Sequence, residues 1–387
     1  MVNRKLPEDW KLVKLQNLFL LEYGKGLPER QRLQGKHPVV GSNGIIGYHN
    51  QALVKGPGIV IGRKGTIGAV SLIESDFWPI DTTYYVKILN REVDLKWLFF
   101  ALVKLNLPKL NLSDVVPGLK RELVYALKLP LPPLPEQQKI AEILSTVDSA
   151  IEKVNQAIEK TQRLKKGLMQ ELLTKGIGHN EFKDTEIGRI PKEWEVVRLG
   201  EVAEIRGNKN ISNIEKVAFI PMELISDFEI FVKYQIRDKD KAKSFTYCEA
   251  GDLLLAKITP SLENGKQGIV PFDIPSGFAL ATTEVFPIFC KKIDEFFLFY
   301  VLKFSKFRNK IISSMIGTTG RQRASKDSVK NLKIPIPPLP EQQKIAEILS
   351  TVDKRLELLR AKKEKLERIK KGLMNDLLTG RRRIRIC

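Results

Sequence analysis

From Ile140 onward the apolar residues return at steps that are mainly three and four: Ile140, Leu144, Val147, Ile151, Val154, Ile158, Leu168 and Leu172. That period lays them along one stripe of a long helix. A second stripe follows near the end of the chain, with Ile345, Leu349, Val352, Leu356, Leu359, Leu366, Leu373 and Leu377. At ~1.5 Å per residue each helix runs to roughly 55 to 60 Å, longer than a small domain needs. Neither stripe can stay wet, so the two helices are expected to pack together as a coiled-coil-like pair. Lys165 and Lys370 fall near the seam, and Lys363 stands at the repeat position of Ile158, which argues against a strict zipper.

The two stripes belong to one duplicated segment. From Pro132 to Asp148 every residue recurs 205 positions later, at Pro337 to Asp353. The offset holds without a gap through Lys165-Lys-Gly-Leu-Met169 and Lys370-Lys-Gly-Leu-Met374, so the length itself matters physically. Three prolines keep Leu131 to Pro135 extended, and Glu136 then sits at the favourable positive end of the helix dipole. The duplication reaches further back: Leu6-Pro-Glu-Asp-Trp10 returns as Ile190-Pro-Lys-Glu-Trp194. The chain therefore reads as two units of one design: residues 1–135 globular, 136–175 helix, 176–189 linker, 190–340 globular, 341–380 helix and 381–387 a basic tail.

Both globular segments read as mixed α and β. Gly58 to Ile61, Ala69 to Ile73 and Tyr84 to Leu89 have strand character between Gly, Asn and Pro punctuation, and Leu95 to Lys104 reads as a short helix. In the second segment Asp252 to Ala256 and Glu284 to Phe289 are expected strands, and Glu295 to Phe304 a helix. The linker 176–189 loses the apolar period and gains glycines, as a surface connection does. The fold class is α+β, two mixed globular domains separated by a pair of long antiparallel helices in a pseudo-twofold repeat.

Charge adds a partner class. The net charge is +20. Residues 1–135 carry +8 (19 basic, 11 acidic), 136–175 carry +1 (7 and 6), 176–353 carry +2 (26 and 24), and 354–387 carry +9 (13 and 4). Such a surplus suits a polyanion, while a terminal run such as Arg381-Arg-Arg-Ile-Arg385 is more often a solvated face. Cys248, Cys290 and Cys387 form no CxxC, and His37, His49 and His179 make no ligand spacing with them, so neither a disulfide framework nor a zinc site is expected. The apolar runs are too short to span a bilayer and the first residues lack a signal region, which makes cytoplasm the expected compartment.

Motifs of catalysis are missing. The sequence has no GxxxxGK[ST], no GxGxxG after a strand, no GxSxG and no HExxH. Asp252 with Lys257 is the nearest approach to a metal-dependent pair, and Asp252 is better read as the cap of a strand turn. No metal or cofactor is therefore expected on this chain.

Exposed polar loops carry the remaining signal. Gly41-Ser-Asn-Gly44 and Gly62-Arg-Lys-Gly65 are tight turns that also display backbone N–H groups beside cationic side chains, which suits phosphate or base-edge contact. In the second segment the comparable stretches are Arg206 to Asn210, Lys257 to Ser261 and Gly320 to Arg323. Candidate nucleic-acid contacts are Ser42, Asn43, Arg63, Lys64, Thr82, Lys120 and Arg121 in the first segment. In the second they are Arg206, Asn208, Lys209, Lys257, Thr259, Lys266, Thr282, Arg321, Gln322 and Arg323.

Taken together, Pro-x-x-Trp at each start, Pro-Pro-Leu-Pro-Glu-Gln-Gln-x-Ile-Ala before each helix, Lys-Gly-Leu-Met-x-x-Leu-Leu-Thr at each helix end, and Gly-Ser-Asn-Gly at 41–44 resemble the specificity subunit of type I restriction-modification systems. The resemblance covers nearly the whole chain. It implies two target recognition domains, each reading one half of a bipartite, asymmetric DNA site, on an antiparallel helix pair that sets the gap and docks methyltransferase (modification) subunits. Those partners would bring S-adenosylmethionine, and the restriction subunits ATP and magnesium, while this chain is not a catalyst. A competing reading is a coiled-coil scaffold that binds other proteins rather than DNA. The near-neutral second unit departs from a simple phosphate binder, because non-specific affinity follows the number of phosphates neutralised.

Overall fold

The computed structural model describes residues 6–110, 118–209, 211, 215–239, 245–318 and 320–384. Two helices of 39 residues each, Leu134–Leu172 and Leu339–Leu377, dominate the secondary structure. The chain divides into two compact units, Met1–Val154 with Lys362–Cys387, and Asn155–Ala361. Each unit thus combines a globular segment with one part of each long helix.

In the first unit a two-stranded ribbon pairs Lys11–Lys14 with Lys128–Leu131, which brings the Pro-x-x-Trp segment beside the helix start. A four-stranded sheet runs in the order Phe19–Tyr23, Thr83–Ile88, Gly58–Gly62, Val70–Ile73, and a three-stranded sheet in the order Gly44–His49, His37–Gly41, Trp78–Pro79. Strand Gly58–Gly62 is buried along its whole length, as expected of a continuous apolar run. The helix Leu95–Leu105 begins at Asp94, whose carboxylate accepts from the backbone N–H of Trp97 at 2.8 Å. Its Trp97, Leu98 and Leu102 are fully buried, in one cluster with Ile59, Ile61, Ile140, Leu144 and Leu377. At about 1.5–3 kcal/mol for each large apolar side chain removed from water, this cluster is the dominant cohesive term.

The second unit repeats the plan. Glu195–Arg198 pairs with Lys333–Ile336, and a four-stranded sheet runs Ala203–Ile205, Val285–Cys290, Leu253–Ala256, Gln267–Ile269. A second four-stranded sheet orders Gln235–Asp238, Lys216–Ile220, Phe278–Ala281, Thr246–Glu249. Asp294 caps helix Glu295–Lys303 through the N–H of Phe297, again at 2.8 Å. Six consecutive residues of that helix, Phe297 to Leu302, are buried, so it is covered all round.

Within each unit the two helix segments run antiparallel. In the first, Asp148 meets Lys370 at 2.6 Å while Glu136 meets Arg383 at 2.9 Å. In the second, Lys165 meets Asp353 at 2.6 Å, and the N–H of Ile177 reaches Glu341 at 2.9 Å. Asp148 and Asp353 are repeat equivalents, as are Lys165 and Lys370. The lysines that interrupt the apolar seam therefore form the same Asp–Lys pair twice. A charge buried at a seam position is tolerated only when its partner is in register, so each pair marks one alignment.

The linker departs from the expectation of a plain surface segment. Phe182–Lys183 pairs with Ile190–Pro191, Ile187 is buried, and the His179 ring nitrogen Nε2 lies 2.9 Å from Glu341.

Candidate nucleic-acid interface

The repeated Glu-Gln-Gln motif is the joint on which each unit is assembled. Trp10 donates its indole N–H to Glu136 at 3.0 Å, and Trp194 donates to Glu341 at 2.9 Å. Next in sequence, Gln137 accepts from the N–H of Asp94 and donates to the carbonyls of Glu92 and Pro132. Gln342 accepts from the N–H of Asp294 and donates to Pro337. The glutamate thus ties the Pro-x-x-Trp segment to the long helix, and the glutamine ties the short capped helix to it. Glu136, 1% exposed, also takes Arg383, which is shared with Asp9 at 2.7 Å. Arg383 belongs to the basic tail, so part of that positive charge is spent inside the fold rather than offered to a polyanion; Arg385 lies outside the described residues.

On this framework the first unit gathers its candidate residues. Ser42 and Asn43 form the two-residue loop of the hairpin His37–Gly41 and Gly44–His49, and Gly44 takes the positive φ of 104° that the turn requires. The neighbouring loop comes close enough that a Cβ on Gly62 would meet the carbonyl of Ser42. The N–H groups of Arg63 and Lys64 both donate to the carbonyl of Thr82, and Leu119 donates to the carbonyl of Arg63, which brings in Lys120 and Arg121. Tyr23, half exposed, lies beneath two guanidinium groups, Arg63 at 5.3 Å and Arg121 at 4.8 Å from its ring centroid. Both arginines donate to backbone carbonyls, Arg63 to Asp81 and Arg121 to Leu21, and no salt bridge is formed by either among the described residues. Burial, with Tyr23 beside it, pushes the Tyr84 phenol up to about 12, so it remains a neutral donor to Leu119 at 3.0 Å. The result is a stacked Arg–Tyr–Arg group beside two glycine turns, with Asn43 and Lys64 exposed. Such guanidinium edges can still meet guanine or phosphate.

The second unit arranges its candidates otherwise. Arg206 is bidentate to Asp252 at 2.6 and 2.8 Å and touches Glu249 at 3.0 Å. Asp252 is fully buried and also accepts from the N–H of Glu249, which makes it the turn cap expected. Both oxygens of its carboxylate are thereby engaged within the fold. Lys209 pairs with Glu249 at 2.5 Å, and its hydrogen bond holds that carboxyl below its ordinary range. One nitrogen of Arg323, Nη2, donates to both oxygens of Glu284, at 2.8 and 2.9 Å. Lys266 is fixed on the carbonyl of Met222 and Thr259 on Glu263. Asn208 is consumed by the backbone of Phe245 and Tyr247.

Two groups result. Arg206, Asn208 and Lys257 line one depression of about 270 Å³. Lys257, Thr259, Gln322 and Arg323 are joined by backbone hydrogen bonds around Glu284, whose N–H donates to Thr282. Arg321 is exposed. Sequence reasoning missed Tyr23, Glu249 and Glu284; for the two acids the only signal is the near-neutral charge of residues 176–353.

These features can be set beside known proteins. A family model described as the type I restriction modification DNA specificity domain matches residues 7–161 and again 191–368. The type I restriction enzyme MjaVIII specificity subunit of Methanocaldococcus jannaschii is 29% identical, over 98% of this chain and 95% of its own length. The putative MjaX specificity subunit of the same organism is 34% identical over 78% of this chain and 68% of its own. Among solved structures, the S subunit of a type I restriction-modification system from M. genitalium covers 98% of both chains at a TM-score of 0.65 and 16% identity, a likeness of fold. No helix among the described residues is long and apolar enough to cross a membrane. The doubled framework and the doubled family match agree: this chain belongs to the type I restriction-modification DNA specificity family and carries its domain twice.

Proposed function

We propose that this chain is the DNA-reading, non-catalytic subunit of a type I restriction-modification complex, in which each unit reads a different half of an asymmetric site. The observation that carries this is a framework repeated in detail under two dissimilar faces. The Trp–Glu joint, the capped short helix, the ribbon and the order of the first sheet are shared. The loops above them share little beyond Thr82-Thr83 and Thr282-Thr283, and they differ in charge pairing. A duplicated reader with divergent contacts selects two unlike half-sites, because base-edge hydrogen bonds discriminate while phosphate contacts only position.

The gapless register of the repeat supports a further part of this reading, that helix length fixes the unread gap. Methyltransferase subunits carrying S-adenosylmethionine, and restriction subunits using ATP and magnesium, are the partners and cofactors the family implies, and the long helices are their proposed dock. Methylation mapping of host DNA with and without the chain tests the whole. Replacing residues 16–130 by those of a relative should change one half-site alone, and inserting one heptad in both helices should lengthen only the gap. A change in both half-sites on the exchange overturns independent reading. Loss of all sequence preference in the assembled complex would favour the scaffold.

A further inference from the structure

The second unit holds a cavity of about 660 Å³, lined by its two long-helix segments, the loop at Phe228 and the start of helix Ser305–Ile312. None of the candidate DNA contacts lines it. Lys165, Lys303, Arg308 and Arg360 project cations into its wall, against the carboxylates of Asp227 and Asp353. Asp353 is already engaged, accepting from Lys165 at 2.6 Å and from the Tyr300 hydroxyl at 2.8 Å.

The remaining cations are poorly compensated. Arg308 makes no ion pair among the described residues, and its Nε is closed from water without an acceptor. Lys303 donates to the carbonyl of Gly265 at 2.8 Å; burial, with repulsion from Lys165 and Arg308, pulls its ammonium down to about 7. An arginine cannot relieve such strain by losing its proton, and beyond Asp353 the lining offers these cations only the carboxylate of Asp227, so an anion from outside would add counter-charge. Arg360 sits 4.1 Å over the ring of Phe228, which is 43% exposed and gives the same wall an aromatic surface. The volume lies in the range of small-molecule sites, and several converging cations match a multivalent oxyanion better than a single carboxylate.

We infer that this cavity binds a small phosphorylated ligand, the phosphate held by Arg308 and Lys303 and an apolar or aromatic body laid against Phe228 beside Arg360. The site is separate from the DNA-reading faces and independent of the function proposed for them.

Titration calorimetry of the full chain with phenyl phosphate, inorganic phosphate and phenol tests it. Phenyl phosphate should bind once per chain, about tenfold more tightly than inorganic phosphate, with phenol silent, because both the charge and the ring contribute. Arg308→Gln and Lys303→Met should each weaken it about tenfold or more. Arg360→Gln, at a half-buried position, should weaken it less, and carries the test if the first two variants do not fold. Absence of saturable binding, undiminished binding in folded Arg308→Gln or in Arg360→Gln, or displacement of phenyl phosphate by a random-sequence duplex at matched phosphate concentration would each overturn the assignment.

Discussion

Arg63 in the first unit and Arg206 in the second both follow a strand of their unit's matching four-stranded sheet, yet their guanidinium groups meet different surroundings. Arg63 stacks over Tyr23 and donates to a backbone carbonyl. Arg206 is clamped by a buried carboxylate and a second acid. A cation held by carbonyls and a ring keeps its charge available outward; one neutralised by two carboxylates becomes part of the fold. The same residue type, after the third strand in the order of one sheet and after the first strand of the other, is thus left available in one unit and spent on cohesion in the other.

The largest effect expected from this contrast is on stability. Asp252→Asn should destabilise the second unit by about 3 kcal/mol in denaturant unfolding, because it strands Arg206 and loosens the turn at Glu249. Arg63→Gln should change stability by less than about 0.5 kcal/mol. If the two variants unfold alike, the contrast is wrong. Next comes the joint beneath both faces: Glu136→Gln should cost about 2 kcal/mol by removing the charge shared by Trp10 and Arg383. Glu341→Gln should cost less, since its partners are an indole, one backbone N–H and His179.

Binding effects should run the other way. Arg63→Ala and Arg121→Ala should each weaken selective DNA retention by the assembled complex by about 1–3 kcal/mol, whereas Arg323→Ala should cost under about 1 kcal/mol, its charge being already matched by Glu284. Equal losses at the three positions would remove the distinction. A separate expected effect is pH-dependent. The Lys303 ammonium is depressed to about 7 from its ordinary 10.5, so between those values the unfolded chain binds more protons than the folded one. Unfolding free energy of the second unit should accordingly rise with pH across that window. In Lys303→Met this component of the slope should vanish, measurable by chemical denaturation at pH 7 and pH 10.

Much of the architecture was legible because it is local or repeated. The period of three and four announced both long helices, and runs such as Gly58 to Ile61 announced strands whose observed bounds differ by a residue or so. Asp94 and Asp294, the caps of both short helices, went unread although each stands immediately before an expected helix, whereas the Gly-Ser-Asn-Gly turn carried its conformation in its composition. What stayed hidden depends on distant partners. Nothing local to Arg206 shows that Asp252, 46 residues on, will neutralise it, and nothing in the tail shows that Arg383 will reach Glu136 across 247 positions. Lys165 and Lys370 look like flaws in a stripe until Asp353 and Asp148 are placed opposite them. Ser42, Arg63, Thr82 and Arg121 were singled out as separate loop residues; that Arg63 and Arg121 meet over one tyrosine, with Ser42 and Thr82 against the turn that carries Arg63, follows from strand order, which no short stretch encodes.

Arg383 follows helix Leu339–Leu377, yet it grips Asp9 and Glu136, 374 and 247 residues earlier in the chain. During synthesis that grip must wait until residue 383 has emerged from the ribosome, whereas the second unit ends at Ala361. The unit begun first is thus the unit completed last, and a nascent chain that stops short of Arg383 leaves Glu136 without its cation.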